Sequence, residues 1–185
     1  MRLFVALNLP EPVCKSLCAC VRPLHSMGFA LRWMTPEQVH LTLKFLGDVA
    51  PERESELVAA LGRACVGARP VTLTLGGFGV FPHSERPRVV WAGVAPEPGL
   101  ELLQHRTEQE FAPLGFATEA RAFRPHITLG RAGPGARPGG FSGLEPALAN
   151  LRVDAAAVIM TVDLMESTLQ SGGAVYHVRH SERLS

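Results

Sequence analysis

The sequence has almost no net charge and no long apolar run. Its 185 residues include 18 lysines and arginines against 17 aspartates and glutamates, for a formal net charge of +1. Binding of long nucleic-acid duplexes through charge alone needs a basic surface, so that class of function is not expected. No run of roughly eighteen or more apolar residues occurs, so no membrane-spanning helix and no membrane partner are predicted. Recognition of a nucleic-acid end or a single nucleotide stays open.

Motifs for metal ions and for ATP are also missing. No H-x-H or H-E-x-x-H pattern occurs, and no glycine-rich loop ends in Gly-Lys-Ser or Gly-Lys-Thr. The cysteines Cys14, Cys18, Cys20 and Cys65 match no zinc-binding spacing. We interpret them as small thiols buried on helix faces, with a redox or metal role as the alternative. The sequence therefore predicts no metal and no other cofactor.

The first ten residues form an apolar segment that is too short for a secretory signal with its cleavage site. Pro10 and Pro12 end this segment, which favours an initial β-strand. The chain is expected to be cytoplasmic and monomeric.

Hydrophobic periodicity divides the rest of the chain into strands and helices. Helices are predicted over residues 11–27, from residue 51, and over residues 98–115. Strands are predicted over residues 29–34, 39–46, 71–75, 88–94, 123–131 and 174–178. Residues 153–168 hold two strand-like halves that could be one long strand. Glycines are expected to end the strand at Leu75, and a glycine- and proline-rich loop is predicted over residues 132–143.

This order of elements favours an α+β fold with antiparallel sheets over a doubly wound parallel sheet, because consecutive strands outnumber crossover helices. Two similar segments indicate a duplication: residues 39–43 read Val-His-Leu-Thr-Leu and residues 125–129 read Pro-His-Ile-Thr-Leu. Their histidines, His40 and His126, are 86 positions apart, about half the chain. We predict one domain over residues 1–185, built from two lobes that carry one motif each.

Each of these segments, as a strand, presents an imidazole and a hydroxyl on one face. Successive side chains of a strand point to opposite faces, so His40 and Thr42 lie together while the residues beside them point into the core. His126 and Thr128 have the same arrangement. A histidine that only caps a sheet edge is the structural alternative, but two copies of one pattern favour a two-histidine site.

Two histidines and two threonines suit the metal-free cleavage of a phosphoester. The reaction needs a base to activate the nucleophile and an acid to protonate the leaving oxygen. Imidazole titrates near pH 6.5, so one neutral and one protonated histidine can coexist around neutral pH. His40 and His126 are the predicted catalytic pair, and the hydroxyls of Thr42 and Thr128 are predicted to bind the phosphate.

The paired H-x-T motifs resemble those of the 2H phosphoesterase superfamily. From residue 1 to about residue 178, the chain resembles the bacterial and archaeal RNA 2′,3′-cyclic phosphodiesterases, also called 2′-5′ RNA ligases or LigT-like proteins. The segments beyond the histidines that carry this resemblance are residues 2–6, Trp33, and residues 44–47, 78–82, 86–94 and 125–131.

The resemblance implies a bilobal LigT-like α+β fold, in which two pseudo-symmetric lobes with antiparallel sheets and outer helices flank a central groove. It implies metal-independent hydrolysis of a terminal 2′,3′-cyclic phosphate to a 2′-phosphate, together with 2′-5′ RNA ligation. The implied partners are RNA ends or nucleotides that carry the cyclic phosphate, tRNA fragments among them. By analogy with relatives, His126 activates the water and His40 protonates the leaving 3′-oxygen.

Phe45 and Arg131, each five residues beyond its histidine, match positions that hold substrate in relatives. Strict alternation from His126 would place Arg131 on the opposite face, so the strand must end or twist near Gly130. Strict alternation from His40 would likewise place Phe45 on the face opposite the histidine. Phe45 could therefore pack in the core or stack on a base of the substrate.

Two other functions compete with this one. The first is a nucleotide- or RNA-binding module without turnover, and the second is a phosphodiesterase for another small cyclic phosphate, such as an ADP-ribose cyclic phosphate. Both complete motifs are present, which favours catalysis, because a binding module would tolerate the loss of one histidine or threonine.

Overall fold

The structure, a computed structural model, describes residues 1–137 and 139–185. Its strands are β1 (Arg2–Asn8), β2 (Leu31–Trp33), β3 (His40–Asp48), β4 (Val71–Phe81), β5 (Val89–Val94), β6 (His126–Ala132), β7 (Ala155–Ile159), β8 (Thr161–Gln170) and β9 (Gly173–Arg183). Its α-helices are α1 (Glu11–Val21), α2 (Glu54–Cys65), α3 (Pro98–Phe111) and α4 (Leu144–Ala149). Short 3-10 helices cover Arg22–Met27, Pro36–Gln38, Pro51–Arg53 and Ala112–Leu114. None of the helices in the described ranges is long and apolar enough to cross a membrane.

All of these strands belong to one antiparallel sheet with the order β7-β4-β5-β6-β3-β1-β8-β9, and β2 pairs with β6. The histidine strands β3 and β6 are neighbours at its centre, joined by a single residue pair, Leu41 with Ile127. By contrast, β3 pairs with β1 at seven positions and β6 pairs with β5 at five. The sheet therefore has two halves that meet at one contact. The predicted antiparallel α+β fold with two lobes is confirmed.

Strands β7 and β8 are adjacent in the chain but lie in different halves of the sheet. Only Met160 separates them, yet β7 pairs with β4 and β8 pairs with β1. The two strand-like halves predicted within residues 153–168 are therefore separate strands, and the alternative of one long strand is wrong. The backbone N–H of Leu184 donates to the carbonyl of Met160 at 2.9 Å, so the end of β9 lies close to the end of β7. The sheet is curled, and its two outer strands approach each other.

The core-facing side chains of the histidine strands are apolar and buried. Leu41 and Ile127 have no exposed surface, and Leu43 and Leu129 are at most 4% exposed. Burial of each such side chain contributes about 1.5–3 kcal/mol to folding, which fixes the side of the sheet on which the histidines lie.

A buried ion pair attaches α3 to β3. Lys44 Nζ donates to Glu108 Oε2 at 2.6 Å and to the carbonyl of Ala117 at 2.8 Å. Glu108 also accepts from Gln104 and from the backbone of Glu119. Because each charge has at least one hydrogen-bond partner besides the opposite charge, the cost of removing both from water is reduced, and the pair holds α3 against β3.

Strand β4 runs through Phe81 rather than ending at Leu75, so that expected end is wrong. Its glycines accommodate a neighbour instead of ending the strand: a Cβ on Gly79 would lie 2.6 Å from Cη2 of Trp91. The register shifts between Leu75 and Phe78, and this bulge contains Gly77, whose φ is +73°. The indole of Trp91 therefore lies across the part of β4 where a strand break was expected.

Helix α4 was not predicted. The sequence indicated only the loop over residues 132–143 that precedes it. Leu144 and Leu148, four positions apart, are 1% and 3% exposed, and the helix packs against β4. Residues 133–137 and 139–143 form neither strand nor helix, and Pro138 lies outside the described residues.

The four cysteines are free thiols, two of them buried and two half-buried. Burial raises the pKa of Cys18 and of Cys65 to about 11. Both are therefore protonated at neutral pH and poorly suited to nucleophilic or redox chemistry.

Replacing Gly79 by alanine should lower the free energy of unfolding by about 1–3 kcal/mol, because the new methyl group would displace the indole of Trp91. Gly76→Ala on the same strand is the matched control, since a Cβ there has no neighbour within 4 Å. Chemical denaturation of both variants measures the difference. If both variants lose the same free energy of unfolding, β4 requires the backbone freedom of its glycines and not the contact with Trp91.

Candidate active site

The two H-x-T motifs share one burial pattern. In each, the middle residue is fully buried, while the histidine and the threonine are half-buried. Because the middle residues Leu41 and Ile127 pair in antiparallel register, each histidine is level with the threonine of the other motif. One face of the sheet therefore holds His40, Thr42, His126 and Thr128 on either side of this contact.

A β-bulge follows each motif at the same position. The extra residue is Leu43 in β3 and Leu129 in β6. Each bulge shifts the alternation by one residue, so the fifth residue after the histidine returns to the histidine's face. These residues are Phe45 and Arg131. The twist expected near Gly130 is this bulge, and Phe45, which is 70% exposed, has no role in the core.

Each imidazole is oriented by a backbone carbonyl two residues before it, just ahead of its strand. His40 Nδ1 lies 2.9 Å from the carbonyl oxygen of Gln38, and His126 Nδ1 lies 2.7 Å from that of Arg124. A carbonyl oxygen only accepts hydrogen bonds, so Nδ1 carries the hydrogen in each ring. Nε2 is then the basic nitrogen of the neutral ring. Both histidines thus offer the same atom for taking up or giving a proton.

An open cavity of about 440 Å³ adjoins His40. Phe45 and Arg131 line it as well, so three of the predicted site residues surround one space. Its other walls come from β1, β2, the end of β3 and the β8–β9 hairpin, and consist of Arg2, Leu3, Phe4, Arg32, Gly47, Ser167, Leu169, Ala174 and Tyr176. The remaining predicted residues, Thr42, His126 and Thr128, are not part of these walls and lie on the strand face next to the β3–β6 contact.

Comparison with known proteins identifies the family of this chain. The family model described as LigT like Phosphoesterase matches residues 7–91 and residues 93–176, and each range contains one H-x-T motif. The chain belongs to the LigT-like phosphoesterase family.

Several relatives cover most of this LigT-like chain. The RNA 2′,3′-cyclic phosphodiesterase of Methanothermobacter thermautotrophicus is 32% identical over 177 residues, 95% of each chain. That of Thermotoga maritima is 37% identical over 131 residues, 71% of this chain and 70% of its own. The structure of Escherichia coli LigT complexed with 3′-AMP matches with a TM-score of 0.79 at 29% identity, covering 100% of this chain and 98% of its own. The protein TT0787 of Thermus thermophilus matches with a TM-score of 0.79 at 28% identity and the same coverage.

Aromatic rings enclose the two histidines of the LigT-like site to different degrees. The His40 ring centre is 4.9 Å from those of both Phe4 and Tyr176. The His126 ring meets the Phe81 ring edge-on at 5.0 Å. Burial lowers the pKa of His40 to about 4, and the positive charge of Arg131 acts in the same direction, against the hydrogen bond to the Gln38 carbonyl. His40 is therefore uncharged at neutral pH in the free protein.

A polar pair beside His40 was not anticipated from the sequence. Asn8 is the cross-strand partner of His40, and its Nδ2 donates to Asp163 Oδ2 at 2.7 Å. Asp163 is 3% exposed, and its Oδ1 has no hydrogen-bond partner among residues 1–137 and 139–185. The only signal in the sequence is a carboxylate among the apolar residues Val162, Leu164 and Met165 of β8. The buried carboxylate orients the Asn8 amide next to the imidazole.

Across the described part of the chain, no three His, Cys, Asp or Glu side chains are arranged to hold a metal ion. The absence of a metal from the reaction stays a prediction, which a chelator tests directly.

The imidazole of His40 should titrate near pH 4 in the free protein, and Arg131→Gln should raise this pKa, because a neighbouring positive charge is removed. Two-dimensional NMR of the histidine ring nitrogens measures both values. The folded pKa lies below the unfolded value of about 6.5, so His40 contributes stability above pH 6.5 that is lost as the pH falls toward 4. A His40 titration near pH 6.5 in both proteins would contradict the effects of burial and of Arg131.

Proposed function

We propose that this LigT-like protein is a metal-independent RNA 2′,3′-cyclic phosphodiesterase, which opens a terminal 2′,3′-cyclic phosphate to a 2′-phosphate. The observation that carries the proposal is the single β3–β6 contact, with two imidazoles and two hydroxyls on the face beside it. Relatives that bear this name cover most of the chain, and Escherichia coli LigT binds the nucleotide 3′-AMP. The two halves act as one unit, because neither half alone supplies both histidines.

The proposed reaction uses one histidine on each side of the phosphorus. Nε2 of His126 accepts a proton from water as the water oxygen bonds to phosphorus. The bond from phosphorus to the 3′-oxygen breaks, and that oxygen takes the proton of the charged His40 ring from Nε2. The hydroxyls of Thr42 and Thr128 donate to the non-bridging phosphate oxygens. With a 5′-hydroxyl in place of water, the same steps form a 2′-5′ linkage.

The low pKa of His40 sets a requirement for this assignment. A general acid must be protonated, but His40 is neutral in the free protein, with a pKa of about 4. An anionic cyclic phosphate beside the ring favours the imidazolium and partly cancels the charge of Arg131. Substrate binding therefore brings the proton to His40, and the acid is formed only when there is a phosphate to cleave.

Binding of adenosine 2′,3′-cyclic phosphate near pH 7 should accordingly take up about one proton. The His126→Ala variant prevents turnover, and the ligand itself does not titrate in this range. Calorimetry in buffers of different ionisation enthalpy counts the protons, and the variant that also carries His40→Gln should take up none. If the His126→Ala variant takes up no proton either, His40 is not charged in the complex, and its assignment as the acid is contradicted.

Alanine at either catalytic histidine should remove nearly all turnover, about 10²–10⁴-fold for each group. The double variant should be little worse than either single one, because the two rings act as a unit. His105→Ala, at an exposed position of α3, is the control and should keep wild-type activity. Rates are measured on adenosine 2′,3′-cyclic phosphate over a range of pH with EDTA present.

Two outcomes would contradict the proposal. Substantial activity in His40→Ala with an unchanged pH profile would make His40 a structural residue. Activity that is lost in EDTA and returns only with an added metal ion would exclude the metal-free mechanism.

A further inference from the structure

The cavity beside His40 holds more positive charge than one cyclic phosphate requires. Arg2, Arg32 and Arg131 line it, and no Asp or Glu belongs to its described walls. None of the three forms an ion pair with a carboxylate of residues 1–137 or 139–185. This holds even for Arg2, whose cross-strand neighbour is Asp48. A 2′,3′-cyclic phosphate carries one negative charge, so two of the guanidinium groups are left for another anion.

The arginines reach this cavity from different parts of the fold. Arg32 and Arg131 are cross-strand partners on β2 and β6, while Arg2 begins β1 on the far side of β3. The Arg32 guanidinium extends to the β8–β9 turn, where a Cβ on Gly173 would lie 3.2 Å from its Cζ. Gly173 has a φ of +118°, which also favours glycine. The turn thus leaves room for the arginine at the edge of the cavity.

Apolar surface completes the cavity. Phe45 is 70% exposed and Leu169 is 80% exposed, although both are large apolar side chains on its walls. Exposed aromatic and apolar surface next to arginines is typical of sites that stack a base and bind a phosphate. The volume, about 440 Å³, falls within the range of roughly 300–1,000 Å³ that is usual for small-molecule sites. The space therefore fits a nucleotide rather than a phosphate group alone.

The position of the cavity matches the expected path of the substrate. If His40 protonates the leaving 3′-oxygen, the ribose that carries this oxygen lies on the His40 side of the phosphorus. The cavity is on that side, since His40 lines it and His126 does not. The group attached to the 5′-oxygen of the same ribose then extends into the cavity.

We propose that Arg2 and Arg32 bind a phosphate on the 5′-oxygen of the ribose that carries the cyclic phosphate. This inference rests on the proposed function and defines its substrate class. Preferred substrates carry at least two phosphates, either as the end of an RNA chain or as a 5′-phosphorylated nucleotide. A bare nucleoside 2′,3′-cyclic phosphate leaves both arginines unused.

The test compares kcat/KM for three substrates. The first, adenosine 2′,3′-cyclic phosphate, has no phosphate on its 5′-oxygen. The second is the same nucleoside with a terminal 5′-phosphate. The third is the dinucleotide ApA with a 2′,3′-cyclic end, in which the 5′-phosphate links the two nucleosides. The two larger substrates should be preferred by about ten- to a hundredfold, the effect of charge-assisted hydrogen bonds to one phosphate. The double variant Arg2→Gln, Arg32→Gln should lose this preference. Arg69→Gln, at an exposed position away from the cavity, is the matched control and should keep it.

The outcomes separate the two proposals. Equal kcat/KM for all three substrates, or a preference that survives in the double variant, overturns the phosphate subsite and leaves the phosphodiesterase intact. If only the terminal 5′-phosphate is preferred, the subsite is supported and its ligand is a free nucleotide rather than an RNA chain. If no substrate is hydrolysed, the proposed function fails, and affinities of the His126→Ala variant for the same three molecules, measured by calorimetry, still decide the subsite.

Discussion

The candidate site depends on the single contact between Leu41 and Ile127. Each histidine strand is held along most of its length by a neighbour in its own half, β1 for β3 and β5 for β6. The strands therefore touch at one residue pair and then diverge, which leaves an exposed face on both sides of the contact. Because the paired residues are fully buried, the side chains next to them in sequence must point away from the core. Those side chains are the two histidines and the two threonines.

The matching bulges add a third functional group to each motif. A motif with strict alternation would offer only an imidazole and a hydroxyl before the strand returned to the core. The extra residue of each bulge is the leucine after the threonine, Leu43 or Leu129. Because of it, two successive residues of the strand are buried, and Phe45 and Arg131 lie on the histidine face. The two halves use one backbone feature to present different groups, an aromatic ring in one and a guanidinium in the other.

Alternation and repetition explain why the motif residues could be predicted from the sequence. The alternation of side chains along a strand shows which residues share a face. The second copy of His-x-Thr indicates that this face forms a site. The bulges, the course of β4 past Gly79 and the Asn8–Asp163 contact could not be predicted in this way. They depend on partners distant in the chain, such as Trp91 across from Gly79, or Asp163, which is 155 positions from Asn8. Sequence periodicity describes one strand at a time, whereas these features belong to pairs of strands.

The two motifs are nearly identical, but the proposed two-histidine mechanism needs one acid and one base. The difference must come from what surrounds each ring. His40 is enclosed by Phe4 and Tyr176 and borders the cavity that Arg2, Arg32 and Arg131 line, whereas His126 meets Phe81 and lies outside that cavity. Three arginines and the cavity thus lie beside His40, the side on which the proposed reaction places the ribose. In the proposed reaction, these different surroundings, and not the motifs themselves, make His40 the acid and His126 the base.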